Sequence, residues 1–421
     1  MLTNDELTKF LLQLTVMLIA AIIFGKIIKR MGQPTIVGEL LAGIVLGPTV
    51  LKHISPVLFG NMFPNNIIVS SELNCFIQFG MILFMFVSGL KINTKFILNR
   101  KKTVLFTSVL GMVIPLLLGV LTVLLIPNAL NAPAENNNWI YALFVGIALS
   151  ISALPVIIKT LTDLNISQLE IGTIIIGSAT IDDIVGWTMF ACLINISVLN
   201  GSILSICVSI LEIFLFILVL FTAGVRISRA VFSFIGSYTE NTTVNTAITI
   251  AMLTLISAIA ERIGIHPFFA AFLLGITLKK DFEAKKFLFD TKNVINTIAT
   301  SFFAPLYFVS VGMRVNLIND FNLLLVLIVL LIAFTGKIVG STAGALIGGA
   351  RWKDALVIGV SMNSRGAIEI IVASTAVEVN MIGQQMYVSL IIMAVITSLL
   401  SGPIIKAILF RRKSARYSCY M

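Results

Sequence analysis

The 421-residue chain is 58% hydrophobic and only 11% charged, and its mean hydropathy is +1.05. This composition excludes a string of soluble domains and indicates one polytopic membrane domain over residues 1–421. The net charge of +10 does not indicate nucleic-acid binding, because the basic residues lie in short connections between apolar runs. The four cysteines lack the spacing of a metal site or a disulfide framework, and neither a cofactor nor an enzymatic activity is expected.

Apolar runs of about 17 to 25 residues, long enough to cross a bilayer as helices, predict an all-α membrane protein with about thirteen spans. In chain order the spans are predicted near residues 10–28, 34–51, 74–92, 103–126, 139–161, 169–198, 202–225, 244–261, 264–279, 296–313, 321–349, 355–376 and 384–409. The sequence stops soon after the last of these runs, and no soluble regulatory domain is expected.

The basic residues predict the orientation of the spans, because cytoplasmic connections carry an excess of Lys and Arg. With thirteen spans, the connections and helix ends on one side hold 23 of the 29 Lys and Arg residues. The other side holds four, which are Lys9, Lys52, Arg262 and Arg314. The remaining two, Lys337 and Arg365, lie within spans. This asymmetry predicts an external amino terminus and a cytoplasmic carboxyl terminus, and an even number of spans would remove it.

Span two begins with a short motif that returns at span nine. Residues 30–34 and 40–46 resemble residues 262–267 and 272–278. The two spans are seven apart, and an odd offset inverts the second copy relative to the first. Inverted repeats, here about 30–198 and 262–409, are typical of transporters, although Gly-rich helices also resemble one another by chance.

Spans five and twelve are both interrupted midway by polar or helix-breaking residues. In span five, Pro155 removes a backbone donor and frees the carbonyl of Ile151. In span twelve, Arg365 and Glu369 lie four residues apart, so they share a helix face and can neutralise each other or the ends of broken helices. These three residues are predicted to have structural roles. Matching broken helices favour a midplane binding site, and two kinks without a role are the alternative.

Span six carries two adjacent carboxylates, Asp182 and Asp183, in a predominantly apolar run. An ionised Asp at the bilayer centre costs about 3 kcal/mol or more, so this pair favours an ion or proton pathway over simple helix packing. Consecutive helical residues point about 100° apart, and the two side chains cannot share one environment. One is expected to pair with Lys337 of span eleven and the other to face a water-filled cavity.

Several motifs occur in order along nearly the whole chain: residues 37–48, the Thr180-Ile181-Asp182-Asp183 centre, residues 305–313, the Gly336-Lys337 pair and residues 362–369. Together they resemble bacterial members of the cation:proton antiporter superfamily, in the sodium/proton exchanger branch that also contains potassium efflux systems. The resemblance implies a homodimer, with a dimerising helical domain and a core domain of crossed, unwound helices that moves to carry a cation across the cell membrane.

The resemblance also implies a role for each buried charge. Asp183 would be the carboxylate that binds Na+ or K+, Asp182 its partner, and Lys337 the base that forms a salt bridge with Asp182. Paired Asp residues resemble the electrogenic members, which move two protons for one sodium ion. The expected function is therefore secondary active exchange of cytoplasmic Na+, or K+ or Li+, for external protons by alternating access.

Additional oxygen ligands are needed, because sodium and potassium are coordinated by several oxygens. Ser152, Ser178 and Thr180 are the predicted supplementary ligands, together with backbone carbonyls near Pro155. The proton and the cation are expected to compete for Asp183.

Two departures from the family pattern leave the ion open. Lys91 follows Gly89-Leu90, where many members have Glu, and Ala367 follows the Arg-Gly motif with the acid at Glu369. The second pattern also occurs in relatives that accept potassium, so a K+/H+ antiporter is an alternative. A cation channel-like protein and a sensor without turnover are further alternatives, whereas the Asp pair would repel an organic anion.

Overall fold

A computed structural model describes residues 4–63, 71–91, 100–130, 138–164, 166, 167, 169–198, 203–236, 241–284 and 286–417. The described residues form helices and connections, with no β-strand among them. The α-helices are α1 (Asn4–Arg30), α2 (Thr35–Leu46), α3 (Leu51–Ile54), α4 (Pro56–Met62), α5 (Ser71–Leu90), α6 (Lys101–Leu125), α7 (Asn138–Ser150), α8 (Leu154–Asp163), α9 (Glu170–Val198), α10 (Ile203–Val219), α11 (Val225–Gly236), α12 (Thr242–Arg262), α13 (Pro267–Ala284), α14 (Lys286–Ile298), α15 (Ala304–Met313), α16 (Leu323–Ile347), α17 (Trp352–Met362), α18 (Ala367–Glu378) and α19 (Gln384–Tyr417). Short π-helical segments, Leu220–Gly224 and Ala299–Phe303, join α10 to α11 and α14 to α15.

Within these ranges, ten helices are long and apolar enough to cross a membrane, which confirms the all-α membrane prediction. The other three predicted spans fall at two helix pairs with a break, α7–α8 and α17–α18, and at α13. Each half of a broken pair is shorter than a bilayer is thick. The carboxyl-terminal part of α13 is strongly charged, with Lys279, Lys280, Asp281 and Glu283.

Both predicted interruptions are breaks in which the backbone leaves the helix. The first break covers residues 151–153 and the second covers residues 363–366. Pro155 lies after the first break, in the opening turn of α8, where a missing N–H costs no hydrogen bond. The interruption of span five thus lies where it was predicted, and the first half-helix ends a few residues before Pro155. The two breaks are joined by a hydrogen bond from the Ala153 amide to the Ser364 carbonyl, 2.9 Å long.

The described chain divides into two compact units, each made of three separate chain segments. One unit holds residues 1–22, 54–92 and 194–310, and the other holds residues 23–53, 93–193 and 311–421. Neither unit is continuous in sequence, so neither is a separable domain of the linear chain. Both breaks and the Asp pair belong to the second unit.

In the second unit, α6 and α16 lie unusually close to each other. A Cβ atom added at Gly344 would overlap the Phe106 carbonyl oxygen, and one added at Gly340 would overlap that of Leu110. Two further glycines continue this row of α16 at four-residue intervals, Gly336 and Gly348, and both also face α6. Small residues at this spacing let two membrane helices approach backbone to backbone. Lys337 lies between Gly336 and Gly340 of this row.

Glycines of neighbouring helices also approach each other closely in each unit. In the second unit, a Cβ added at Gly312 of α15 would lie 2.9 Å from the Cα atom of Gly43 in α2. In the first unit, a Cβ added at Gly275 of α13 would lie 3.0 Å from the Cα atom of Gly89 in α5. Gly43 and Gly275 occupy the same position in the two copies of the repeated motif.

Candidate functional site

The centre of α9 carries the two adjacent aspartates at full burial. Asp182 is 0% exposed and Asp183 is 1% exposed. Because they are consecutive on a helix, their carboxylates point in different directions and contact different elements. Different environments were predicted for the two side chains, and their contacts differ in this way.

Asp182 is held by side chains from three directions. Its Oδ2 atom accepts a hydrogen bond from Lys337 Nζ at 2.6 Å and one from Ser152 Oγ at 3.0 Å. Its Oδ1 atom accepts a hydrogen bond from Ser108 Oγ at 2.6 Å. Lys337 and Asp182 are both fully buried, so they form an ion pair away from solvent. The structure thus places Lys337 against the first aspartate of the pair.

Asp183 has the opposite environment. Its carboxylate faces the backbone amide of Leu154 at the start of α8, but neither oxygen makes a hydrogen bond of normal geometry among the described residues. The prediction that this side chain faces a water-filled cavity is wrong for this conformation, because the side chain is buried beside the first break.

The carboxyl end of α7 is covered by two buried cations. The last carbonyls of a helix have no partners within the helix and form the negative end of its dipole. Arg365 donates to the carbonyls of Ala148, Leu149 and Ile151. Lys337 donates to the carbonyl of Ser150 in addition to Asp182. The Ile151 carbonyl, which the sequence analysis expected to be free near Pro155, is therefore bound by a guanidinium group.

Arg365 also pairs with Glu369, as their spacing allows. The distance from Arg365 Nη1 to Glu369 Oε1 is 3.3 Å, and both side chains are buried. The second carboxylate oxygen of Glu369 has no hydrogen-bond partner among the described residues. Arg365 thus does both things that the sequence left open: it neutralises Glu369 of α18 and it caps the end of α7.

The three predicted supplementary ligands do not form one cluster of free hydroxyls. Ser178 donates to the Val104 carbonyl at 3.1 Å, and Thr180 donates to the Ile176 carbonyl in its own helix at 2.8 Å. Ser152 lies within hydrogen-bonding distance of two acceptors, Asp182 and the Met362 carbonyl at 2.7 Å. A hydroxyl has one proton and two lone pairs, so each oxygen keeps acceptor capacity for a cation.

Sequence reasoning missed three polar residues at this site. Ser108 contacts Asp182 directly, although one serine in the apolar run of span four gives no signal of its role. Asn363 and Ser364 lie in the second break, within a motif that the sequence singled out for Arg365. Both are buried, and their side-chain polar atoms have no hydrogen-bond partner among the described residues. They add unpaired oxygen atoms next to the crossing of the two breaks.

The charges of this cluster do not cancel. It contains the buried carboxylates of Asp182, Asp183 and Glu369 and the buried cations of Lys337 and Arg365. When all are ionised the cluster carries one net negative charge, and Asp183 is its carboxylate without an ion pair among the described residues. A buried charge of this kind must be compensated. The arrangement is suited to hold one proton or one monovalent cation at Asp183.

Two broken helices that meet beside buried charges in a membrane fold define the class of secondary transporters. Residues 14–411 match the family described as sodium/hydrogen exchanger, transmembrane. The chain belongs to the sodium/hydrogen exchanger family.

Known relatives extend over almost the whole chain. The Na(+)/H(+) antiporter NhaS4 of Synechocystis sp. is 27% identical, and the match covers 96% of this chain and 97% of that protein. The Na(+)/H(+)-K(+) antiporter GerN of Bacillus cereus is 25% identical, with 94% and 96% covered. The chain spans about half the length of several other relatives. The solved structure of the sodium proton antiporter MjNhaP1 from Methanocaldococcus jannaschii shares the fold, with a TM-score of 0.70, 15% identity and coverage of 95% and 96%.

Proposed function

We propose that this protein is a secondary active antiporter that exchanges cytoplasmic Na+ for external protons across the cell membrane. The observation that carries the proposal is the uncompensated carboxylate of Asp183, buried beside the ion pair of Asp182 and Lys337. The names of two relatives, NhaS4 and GerN, include Na(+)/H(+) exchange. The buried single negative charge matches a monovalent cation and a proton as alternative occupants.

Competition at Asp183 couples the two fluxes. A bound proton removes the charge of the carboxylate, and a bound cation balances it, so each occupant displaces the other. Without either, the site is a buried uncompensated charge, and moving it past an apolar barrier is costly. In alternating access, the site then crosses the membrane only when it holds a proton or a cation. Transport of the one is therefore strictly coupled to transport of the other.

The proposed oxygen ligands of the cation come from the two breaks and from α9. Ser152, Ser178 and Thr180 retain lone pairs, and Asn363 contributes a buried amide oxygen without a partner among the described residues. Neutral oxygens of this kind complete the coordination of Na+ or K+ without adding charge.

The exchange is proposed to be electrogenic. Asp182 and Lys337 form a second site that can release a proton, because each stabilises the ionised form of the other in a buried environment. If the cation reaches Asp183 and this pair opens, two protons leave for one cation. Each cycle then moves net charge through the membrane.

We further propose an external amino terminus, a cytoplasmic carboxyl terminus and a homodimeric assembly. The distribution of basic residues supports the orientation. The paired close approaches of Gly43 with Gly312 and of Gly275 with Gly89 support inverted repeats of about 30–198 and 262–409. Each pair joins one repeated-motif helix to a neighbouring helix, and the four helices correspond under the same offset of seven spans.

Proton movement in proteoliposomes tests the function. The purified protein is reconstituted with a pH-sensitive dye inside, and Na+, K+ and Li+ are added separately, with choline as the control cation. We expect saturable, Na+-dependent proton movement in vesicles that contain the protein and none in protein-free vesicles. A dye signal that no monovalent cation changes, although the protein is inserted and folded, would exclude antiport.

The same assay separates the remaining candidates. The Na(+)/H(+)-K(+) relative favours K+ as a second substrate, and proton movement on adding K+ with little response to Na+ would make the protein a K+/H+ antiporter. A channel-like protein would instead give discrete single-channel currents in planar bilayers, which antiport does not produce.

A further inference from the structure

Two lysines of the first unit lie close together without a carboxylate partner. Lys91 directly follows α5, and Lys292 lies in α14, which packs against α5. Desolvation by neighbouring protein atoms, and then the positive charge of Lys292, lower the pKa of Lys91. Neither lysine forms an ion pair among the described residues. Two cations from different helices thus face each other without compensation.

The acidic side chains of α13 and α14 do not compensate this pair. Asp281 and Glu283 of α13 form ion pairs with other basic residues, at 3.1 Å and 3.5 Å. Asp290 lies two residues before Lys292 in α14, and positions with this spacing are about 200° apart around a helix. The carboxylate of Asp290 therefore lies on another side of α14.

The pair lies at the boundary of the lipid bilayer. The apolar helix Glu72–Leu90 ends just before Lys91, and the apolar helix Lys286–Met313 begins shortly before Lys292. The second helix has 28 residues, about eight more than are needed to cross the hydrocarbon layer. Its first turns carry three charged residues, so the surplus falls there, at the level of the lipid headgroups.

The surface of α14 next to the pair is apolar. Val294 is 40% exposed and Ile298 is 42% exposed. Both follow Lys292 in the helix, in the direction of the hydrocarbon layer. A lipid whose headgroup contacts the lysines can therefore lay its acyl chains along α14.

From this placement we infer that Lys91 and Lys292 together bind the phosphate headgroup of an anionic phospholipid. The headgroup supplies the negative charge that the described residues do not provide. Each lysine near a membrane surface contributes about a fivefold gain in affinity for such a lipid. Lys91 stands where many family members have Glu, so the site is a feature of this chain. The inference does not depend on the proposed antiport.

The test uses the purified full-length protein in an uncharged detergent at neutral pH. Thermal unfolding is measured while phosphatidylglycerol, phosphatidylcholine with the same acyl chains, or glycerol 3-phosphate is added. For the parent, phosphatidylglycerol should raise the Tm at a concentration about 25-fold lower than phosphatidylcholine, because two lysines take part. Glycerol 3-phosphate at the same concentration should leave the Tm unchanged.

Lys91→Gln and Lys292→Gln should each weaken the apparent affinity for phosphatidylglycerol about fivefold and leave that for phosphatidylcholine unchanged. If one of these variants does not fold, the other provides the measurement. Lys280→Gln is the matched control. Lys280 is an exposed lysine of α13 without an ion pair among the described residues, and it is not among the charges that act on Lys91. Its replacement removes the same charge and should keep the preference of the parent.

Lys91→Glu separates lipid binding from stability. Its carboxylate can pair with Lys292, so the Tm without lipid should rise above that of the parent. The preference for phosphatidylglycerol over phosphatidylcholine should disappear in the same variant, because the net charge of the pair is then zero. A lipid-free Tm that does not rise would show that the two side chains do not face each other and would contradict the site.

Two further results would overturn the inference. Equal effects of the two lipids on the parent, or equal losses for Lys91→Gln and Lys280→Gln, would mean that the basic residues attract anionic membranes only diffusely. Stabilisation by glycerol 3-phosphate as strong as that by phosphatidylglycerol would make the ligand a soluble phosphate and not a lipid.

Discussion

The two aspartates of α9 differ because of what surrounds them and not because of their chemistry. Asp182 accepts three hydrogen bonds, one of them from a buried cation, whereas both oxygens of Asp183 lack a partner among the described residues. Removing an ion-pair partner in a protein interior leaves the other charge exposed to the full cost of desolvation. Asp183 is in a similar condition, and for this reason we propose it as the residue that binds the proton or the cation.

Asp183→Asn is predicted to abolish exchange while the protein stays folded in the membrane. The amide keeps the shape of the side chain, but it can neither release a proton nor balance a cation. The measurement is Na+-dependent proton movement in proteoliposomes, with size-exclusion chromatography of the detergent-solubilised variant as the folding control. Full activity in this variant would remove Asp183 from the site.

Lys337→Gln is predicted to slow exchange or make it electroneutral, and to lower stability. Glutamine keeps a donor for the Ser150 carbonyl or for Asp182, but it carries no titratable proton. Asp182 then becomes an uncompensated buried charge or must bind a proton, at a cost of about 3 to 5 kcal/mol. Exchange is measured with a membrane potential set by valinomycin. If the exchange rate of the parent protein does not change with the membrane potential, exchange of two protons for one cation is contradicted.

At the scale of elements, the carboxyl end of α7 is the point that joins the two broken helices. Arg365 comes from the second break, yet it binds carbonyls at the end of α7 and an acid on α18. The Ser398 hydroxyl of α19 in turn donates to the Arg365 carbonyl. An exposed half-helix end in a membrane would leave several backbone acceptors unsatisfied. The guanidinium group is suited to this position because it offers five donors in a fixed plane.

Arg365→Gln is therefore predicted to destabilise the fold by about 3 to 5 kcal/mol, because it leaves Glu369 and several carbonyls of α7 without their cation. Arg314→Gln is the matched control. Arg314 pairs with Glu378 at 2.7 Å, but the two side chains are 23% and 39% exposed, and such a pair is worth about 1 kcal/mol or less. Thermal unfolding in detergent should show a large loss for the first variant and a small one for the second; equal losses would contradict the capping role.

At the scale of the whole molecule, the charge asymmetry predicts the arrangement of the chain in the membrane. Tags at the amino terminus and in the connection at residues 131–138 should be accessible from outside. Tags in the connection at residues 95–102 and at the carboxyl tail should be accessible only from the cytoplasm. These connections are mostly outside the described residues, so accessibility labelling in intact cells and in everted vesicles is the measurement. Both termini on the same side would mean an even number of crossings.

Hydropathy and residue pattern were enough to predict the class of fold and the most important charges. Long apolar runs can only be helices in a bilayer, because every backbone polar group must be paired there. Asp182, Asp183, Lys337 and Arg365 were visible because charges are rare in such runs. The roles of these residues in exchange came from the resemblance to a family, since spacing alone does not say which aspartate binds the ion.

Which polar groups contact one another could not be predicted, because these contacts depend on how distant segments pack. Ser108 gave no signal in the sequence, because a serine in a membrane helix disturbs neither hydropathy nor helix formation. Its contact with Asp182 depends on the glycine row of α16, which draws α6 to the site across more than 200 positions of the chain. The same holds for the Ile151 carbonyl, which was predicted to be free and is bound by Arg365. Local propensity fixes where a helix breaks, but the partner of each freed group is set by the packing of distant segments.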